Sequence, residues 1–177
     1  LLRMLSLSFK MAYLVAIKVK KNDEVLIVTN PAFLLILVAL LKVAIKFNLT
    51  VLVHDVFPEN LIPAGFAHPS QFKFKITSRL FNWAYNKADR LIAIGDDMKD
   101  LLSKKLKRTD VVVIPNWADP NIMPIPKFSP SNYFKLPLED KIVISFAGNI
   151  GRVQGIDSFL EIYKQASNPH LALVLIG

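Results

Sequence analysis

Residues 142–155 read IVISFAGNIGRVQG, and this stretch decides the fold of its part of the chain. It begins as an apolar strand and runs into a turn that carries Gly148, Gly151 and Gly155. A helical pattern follows over residues 156–166, and a second apolar strand, LALVLIG, comes after it. Strand, glycine-bearing turn, helix and strand together predict one βαβ unit.

The turn of this unit favours a phosphate ligand. Glycines let backbone N–H groups approach a ligand closely, and the N-terminus of the following helix adds a partial positive charge. The spacing does not match G-x-G-x-x-G, and no Walker lysine-serine pair follows it. The residues alone therefore leave open a turn that needs small residues only for tight packing.

Other motifs extend this evidence along the chain. HDVFPEN begins at His54, ADRLIAIGDDM at Ala88, VVVIPNWADP at Val111 and GNIGRVQGID at Gly148. In this order they resemble the GT-B glycosyltransferases of family 4, and above all the bacterial members that build lipid-linked surface polysaccharides. The resemblance covers nearly the whole chain, over residues 23–177.

The resemblance implies two Rossmann-like domains that face each other across a cleft. We therefore predict an α/β fold of parallel sheets with flanking helices. Residues 1–114 would form a partial N-terminal domain on the acceptor side, and residues 141–177 the first βαβ of the nucleotide-sugar-binding domain. Residues 115–140 hold six of the eleven prolines. Since proline fixes φ and lacks an N–H donor, this segment predicts an extended interdomain linker.

Charge and composition favour a membrane surface over nucleic acid. The chain has 177 residues, 53% of them hydrophobic, and a formal net charge of +8. Residues 1–21 carry five lysines and arginines and no acid, and on a helix Arg3, Lys10 and Lys21 fall close together in angle. The pattern suits an anionic membrane surface, and a core helix with a solvated basic face explains it equally well. No nucleic-acid recognition module accompanies the charge, so we expect no nucleic-acid partner.

The cellular location follows from the same features. The apolar run over residues 32–41 is shorter than the roughly 20 residues that a transmembrane helix needs. The absence of cysteine excludes disulfides and thiolate metal sites and fits a reducing compartment. We expect a cytoplasmic protein that is peripheral to the inner face of the membrane.

His54 and Asp55 are the candidate catalytic residues. They follow a strand predicted over residues 49–53, buried on both faces, at the edge where open parallel sheets bind ligands. The resemblance implies that His54 lies close to the transferred sugar. A neutral imidazole can hydrogen-bond a sugar hydroxyl, and a carboxylate can accept from one. A pair that only caps neighbouring backbone is the alternative.

Glu59 lies a few residues further on and is a candidate for the cleft. Glu59, His54 and Asp55 are residue types that can bind a metal ion, but their spacing in the sequence fixes no metal geometry. The resemblance also implies that no catalytic metal and no cofactor is required.

In the second half, the resemblance implies an arginine after the first glycine of the turn and a lysine before the last one, which hold the diphosphate. Asn149 and Gln154 stand at those positions here. Arg152 lies between them and could supply the missing charge, and backbone N–H groups around Gly148–Gly151 would carry more of the binding. The predicted donor-binding residues are Gly148, Asn149, Gly151, Arg152, Gln154 and Gly155.

Asn116 and Asp119 belong to the sequence PNWAD. They match a family motif at the domain junction that often lines the cleft. A plain turn accounts for the two residues equally well.

These features predict a retaining glycosyltransferase that moves a sugar from a nucleotide-sugar donor to a lipid-linked or glycan acceptor in surface polysaccharide synthesis. The family's donor-holding glutamates would lie beyond Gly177, and its opening strand and glycine-rich loop before Leu1. We therefore expect the chain to be truncated at both ends and inactive alone. The alternatives are a sugar-nucleotide 2-epimerase of the same fold and a non-catalytic membrane-surface binding protein.

Overall fold

The structure is a computed structural model that describes residues 2–123, 129–151 and 154–177. It consists of two compact units, Leu1–Trp117 and Ala118–Gly177. The division between the units falls inside the segment predicted as a linker, and the predicted domain boundaries themselves stay predictions.

The first unit alternates helices and strands. Its elements are α1 (Leu2–Lys18), β1 (Glu24–Val28), α2 (Ala32–Ile45), β2 (Asn48–Val53), α3 (Phe72–Asn86), β3 (Arg90–Ala93), α4 (Asp96–Leu106) and β4 (Val111–Val113). The four strands form one parallel sheet in the order β1-β2-β3-β4, with Ile27 opposite Val51 and Val51 opposite Leu91. Because all strands are parallel, their carboxyl ends meet at one edge.

The sheet buries one of its two faces among the described residues. Ile27, Val51 and Leu91 are buried with α2 and α3 in one apolar core, whereas the alternate residues Leu26 and Val112 are 65% and 53% exposed. In β2 itself, Thr50 and Leu52 are only half-buried, so the prediction that the strand at residues 49–53 is buried on both faces is wrong for this unit. Side chains alternate along a strand, so only every second residue reaches the helices.

Helix α1 packs onto α2 through small side chains. Ser8 and Ala12 are buried, and Val15 packs against the core. Most of its large apolar residues remain exposed, as for Phe9 at 61% and Tyr13 at 64%. Within the residues that the structure describes, the helices are too short or too polar to cross a membrane.

The second unit contains the predicted βαβ. Its elements are α5 (Pro130–Phe134), β5 (Ile142–Ala147), α6 (Ile156–Ala166) and β6 (Leu171–Ile176). Strands β5 and β6 pair in parallel, with Ile144 opposite Leu173. Leu138, Ile156 and Val174 are buried.

A single helical turn, α5, interrupts the segment predicted to be extended. Pro130 occupies the start of α5, where the missing N–H costs nothing and the fixed φ suits a helix. Ser129 caps the turn, since its Oγ accepts from the Asn132 N–H at 3.3 Å. Proline therefore initiates a helix here instead of excluding one.

Candidate functional site

The turn after β2 carries His54 and Asp55 at the carboxyl edge of the sheet. Their backbone N–H groups both donate to the Oγ1 of Thr29, at 3.0 and 3.1 Å. Thr29 directly follows β1 and is 1% exposed. One buried hydroxyl from a neighbouring strand thus fixes the backbone from which both candidate side chains project.

Tyr85 of α3 holds the same turn from the other direction. Its hydroxyl donates to the Asp55 carbonyl at 3.2 Å and accepts from the Phe57 N–H at 3.3 Å. The ring is fully buried, and burial raises the pKa of the Tyr85 phenol above its ordinary value. The neutral phenol therefore stays available as a donor over the physiological pH range.

The side chains of His54 and Asp55 themselves are exposed. Within the described part of the chain, neither the imidazole nor the carboxylate contacts a hydrogen-bonding partner. Both residues line a pocket of about 290 Å³ that also includes Asn60 and Asp97. The pair is thus free to bind hydroxyl groups of a ligand, whereas its backbone, and not its side chains, is used for the local structure.

Glu59 lines the same pocket, but its carboxylate is already paired. Both oxygens accept from the Lys105 Nζ, at 2.5 and 2.6 Å, and the Ser78 hydroxyl lies 3.5 Å from the carboxylate. The Lys105 side chain is 6% exposed, and burial lowers the pKa of its ammonium group although the hydrogen bond that it donates to Glu59 acts in the opposite direction. Lys105 and Ser78 thus connect α4 and α3 to the loop that follows Asp55.

His54 also borders a larger cavity on the uncovered face of the sheet. This cavity of about 600 Å³ is lined by Leu52 and Ile92 of the sheet and by Asn116 and Trp117 after β4. The structure therefore brings Asn116 and His54 to one cavity. Trp117 is 86% exposed and can stack on a planar or sugar ring.

Asp119 belongs to the second unit and forms a local turn. Its Oδ1 accepts from the backbone N–H of Asn121 at 2.8 Å and from the side-chain amide at 2.9 Å. This is the plain turn that the sequence left open for the motif. A role of Asp119 in a cleft stays a prediction.

Two glycines of the turn in the second unit have left-handed backbone angles. Gly148 and Gly155 have φ of +150° and +65°, values that favour glycine. Gly155 is the N-cap of α6, and the N–H groups of residues 156–158 in its first turn have no partner within the helix. Such donors, together with the helix dipole, can bind a phosphate.

Two backbone N–H groups inside this turn already donate hydrogen bonds within the protein. The N–H of Gly148 donates to the Ile176 carbonyl at 2.9 Å, and the N–H of Gly151 donates to the Asn149 carbonyl at 3.1 Å. The predicted anion donors at Gly148 and Gly151 are thus used by the protein itself. The start of α6 is the better source of N–H groups, next to Gln154. The predicted cation Arg152 lies outside the described residues.

In the three described ranges, no three histidine, aspartate or glutamate side chains stand close enough to hold an ion.

Sequence reasoning missed three residues, Thr29, Tyr85 and Lys105. Thr29 and Tyr85 contact the candidate turn and Lys105 contacts Glu59 after it, each from a position at least 25 residues away in the chain. A polar residue directly after an apolar strand was the available signal for Thr29. For Tyr85 and Lys105 no local pattern distinguishes them from other residues on amphipathic helices.

The chain is similar to known glycosyltransferases. The model of Glycosyltransferase Family 4 matches residues 2–122. The probable glycosyltransferase WbjE of Pseudomonas aeruginosa is 38% identical over 173 residues, which cover 94% of this chain and 43% of that protein. The chain thus spans less than half the length of this relative.

A solved structure gives a similar result for the fold. Anabaena Alr3699/HepE in complex with UDP matches with a TM-score of 0.61 at 18% identity, covering 96% of this chain and 43% of that one. This likeness confirms the predicted α/β fold with parallel sheets and flanking helices.

Proposed function

The chain belongs to glycosyltransferase family 4, and from that premise we propose that it is part of a retaining enzyme that transfers a sugar from a nucleotide-sugar to a lipid-linked or glycan acceptor. In this reaction the bond between the anomeric carbon and the diphosphate oxygen breaks, and a bond from that carbon to the acceptor oxygen forms. The acceptor hydroxyl proton goes to the leaving diphosphate. The protein contributes positioning and charge stabilisation.

One observation carries this proposal for the first unit. His54 and Asp55 lie side by side at the carboxyl edge of a parallel sheet, with fixed backbones and unpartnered side chains. A rigid backbone with free polar side chains is what a sugar site requires, because hydroxyl groups are recognised by directional hydrogen bonds. We assign His54 to a hydroxyl of the donor sugar.

The donor diphosphate has a separate basis in the second unit. The start of α6 offers N–H groups beside Gln154 and Gly155, and the structural neighbour HepE was determined in complex with UDP. We propose that a nucleoside diphosphate binds there, with Arg152 as its side-chain cation. We propose a mechanism without a metal ion or cofactor, in which the N–H groups and Arg152 stabilise the diphosphate charge.

The proposed location is the inner face of the cell membrane, in surface polysaccharide synthesis. Helix α1 exposes Leu2, Phe9, Tyr13 and Ile17, each by more than half. The cations of residues 1–21, without any acid, would attract anionic lipids.

Transfer assays with radiolabelled nucleotide-sugars test this function. The protein with its native flanking sequence is incubated with membranes and a panel of donors, and label in the lipid fraction is the expected result. A changed sugar without transfer would instead indicate a 2-epimerase, and neither product would indicate a non-catalytic binding protein. Residues 1–177 alone are expected to be inactive, so transfer by this chain would contradict the expectation that the donor-holding glutamates lie beyond Gly177.

Replacement of the predicted cation tests the diphosphate site. Arg152→Ala is expected to weaken UDP binding about tenfold in titration calorimetry, because a charge-assisted hydrogen bond is lost. Lys164→Ala removes an equal charge from the end of α6 and serves as the control. Equal affinities of Arg152→Ala and the unchanged protein would remove Arg152 from the site.

A further inference from the structure

Asp55 borders a second cavity, separate from the pocket that it shares with His54. This Asp55 cavity has a volume of about 300 Å³. Its walls are mainly apolar and come from Met4 of α1, Phe33 of α2 and Phe57 of the turn. An apolar cavity with one unpartnered carboxylate at its border suits a ligand that is mostly hydrocarbon but carries a hydroxyl group.

An apolar groove of about 410 Å³ lies between the first two helices. Phe9 and Tyr13 line this α1–α2 groove from one helix, and Leu37 and Leu40 line it from the other. Phe33, Leu37 and Leu40 are spaced four and three residues apart, so they lie on one face of α2. The same apolar stripe of α2 therefore borders both the Asp55 cavity and the α1–α2 groove.

The stripe is accessible from solvent. Phe33 is 41% exposed and Leu40 is 54% exposed, and Tyr13 across the groove is 64% exposed. Such a surface gains stability when a hydrocarbon chain covers it. The neighbouring basic residues of α1, Arg3 and Lys10, add attraction for an anionic lipid surface, which favours a lipid over a protein segment as the occupant.

We propose that the Asp55 cavity and the α1–α2 groove together form the acceptor subsite. The ligand is an amphiphile whose hydroxyl-bearing head donates a hydrogen bond to the Asp55 carboxylate and whose hydrocarbon chain lies along Phe33, Leu37 and Leu40. This inference rests on the proposed function. It assigns the acceptor to Asp55 and the donor sugar to His54.

Calorimetric titration with dodecyl β-D-glucopyranoside, kept below the concentration at which it forms micelles, tests the subsite. One molecule is expected to bind, octyl β-D-glucopyranoside is expected to bind more weakly, and glucose is expected to give no measurable heat. Leu40→Gln should weaken dodecyl glucoside about fivefold because the groove loses apolar contact. Asp55→Ala should weaken it about tenfold because the head loses a charge-assisted hydrogen bond.

Val43→Gln is the matched control. Val43 lies on the same helix and is 55% exposed, but it lines a different cavity. An affinity for dodecyl glucoside within about twofold of the unchanged protein is expected, since no groove contact is lost. Because Leu40 and Val43 are both surface residues, neither variant should disturb folding, which circular dichroism checks.

UDP titration of the same variants separates this inference from the proposed function. UDP affinity should not change in Leu40→Gln, whose side chain lies in the α1–α2 groove. Failure of UDP to bind any form would remove the donor assignment but would leave the subsite standing if dodecyl glucoside still follows the variants. Absence of glucoside binding, or equal losses in Leu40→Gln and Val43→Gln, overturns the subsite whatever UDP does.

Discussion

At the scale of single residues, the candidate turn depends on buried polar groups that never reach the ligand. Thr29 and Tyr85 are essentially inaccessible, yet their hydroxyls bind the backbone of residues 54–57. A buried hydroxyl that satisfies two backbone groups has a larger effect than its own bond suggests, because its removal leaves those groups unpaired.

Tyr85→Phe measures this effect directly. The variant keeps the ring but leaves the Asp55 carbonyl and the Phe57 N–H without their buried partner. We expect a loss of about 1–3 kcal/mol in the free energy of unfolding, measured by urea denaturation. Tyr13→Phe, at an exposed tyrosine, should change it by less than about 0.5 kcal/mol. Equal midpoints for both variants would show that Tyr85 contributes only its ring.

The Lys105–Glu59 pair predicts a coupled response. Lys105→Met leaves the Glu59 carboxylate largely buried without its cation, and because Glu59 is 23% exposed we expect a loss of about 2 kcal/mol, below the range for a fully buried pair. Adding Glu59→Gln to this variant should restore part of the loss, so that the double-mutant cycle gives a non-zero coupling. Lys104→Met, at the exposed neighbour on α4, is the control. Additive losses would argue against the pair.

At the scale of elements, Asp89 joins three parts of the first unit. It lies between α3 and β3, and its Oδ2 accepts from the Leu49 N–H of β2 at 2.6 Å and from the Lys42 Nζ of α2. Lys42 also donates to the Phe47 carbonyl at 2.8 Å. The end of α2 and the start of β2 are thus held to β3 by one carboxylate.

This arrangement predicts an acid-dependent stability. Burial opposes ionisation of Asp89, but the hydrogen bonds from Lys42 and Leu49 outweigh it and lower the pKa of the carboxyl. The ionised Asp89 therefore contributes its full stabilisation above the pKa of an aspartate in the unfolded chain, about 3.9. This stabilisation is lost as the pH falls through the lower pKa of Asp89 in the folded protein. The difference in unfolding free energy between the protein and Asp89→Asn should therefore shrink between pH 6 and pH 3. A difference that stays constant over this range would contradict the assignment.

The elements themselves could largely be predicted from the sequence, and the contacts of the site could not. The predicted strand–turn–helix–strand unit matches β5, α6 and β6 because its apolar runs and glycines are local signals. The sequence also predicts His54 and Asp55 at the carboxyl edge of the sheet, where the structure has them, because the end of an apolar strand is a local signal. Their anchors, Thr29 and Tyr85, come from other strands and helices. Which residue meets which across the sheet depends on the packing angles and register, and a single sequence does not encode those in any short pattern.

At the scale of the whole molecule, the two units differ in how much apolar surface they bury. The core of the first unit lies within residues 12–111 and draws on all four helices and all four strands. In the second unit the buried apolar residues among those described are Leu138, Ile156 and Val174. A two-stranded sheet with one main helix has little core to offset the loss of chain entropy.

Separate expression of the units tests this difference. Residues 1–117 are expected to fold alone and to unfold cooperatively in thermal circular dichroism, because their core is self-contained. Residues 118–177 are expected to show no cooperative transition under the same conditions. A sharp transition in the second fragment, or its absence in the first, would contradict this distribution of stability.

The position of two neighbouring residues on one anchored turn has a practical consequence for redesign. A shift of the turn that re-aims Asp55 also re-aims His54, so under the proposed assignment a library randomised at residues 54–57 would alter both substrate preferences together. Under the same proposal, changes at Met4 and Phe33, which line the cavity beside Asp55, would alter acceptor choice while the donor preference is retained. Directed evolution toward new acceptors should therefore begin on the helices and leave the turn as it is.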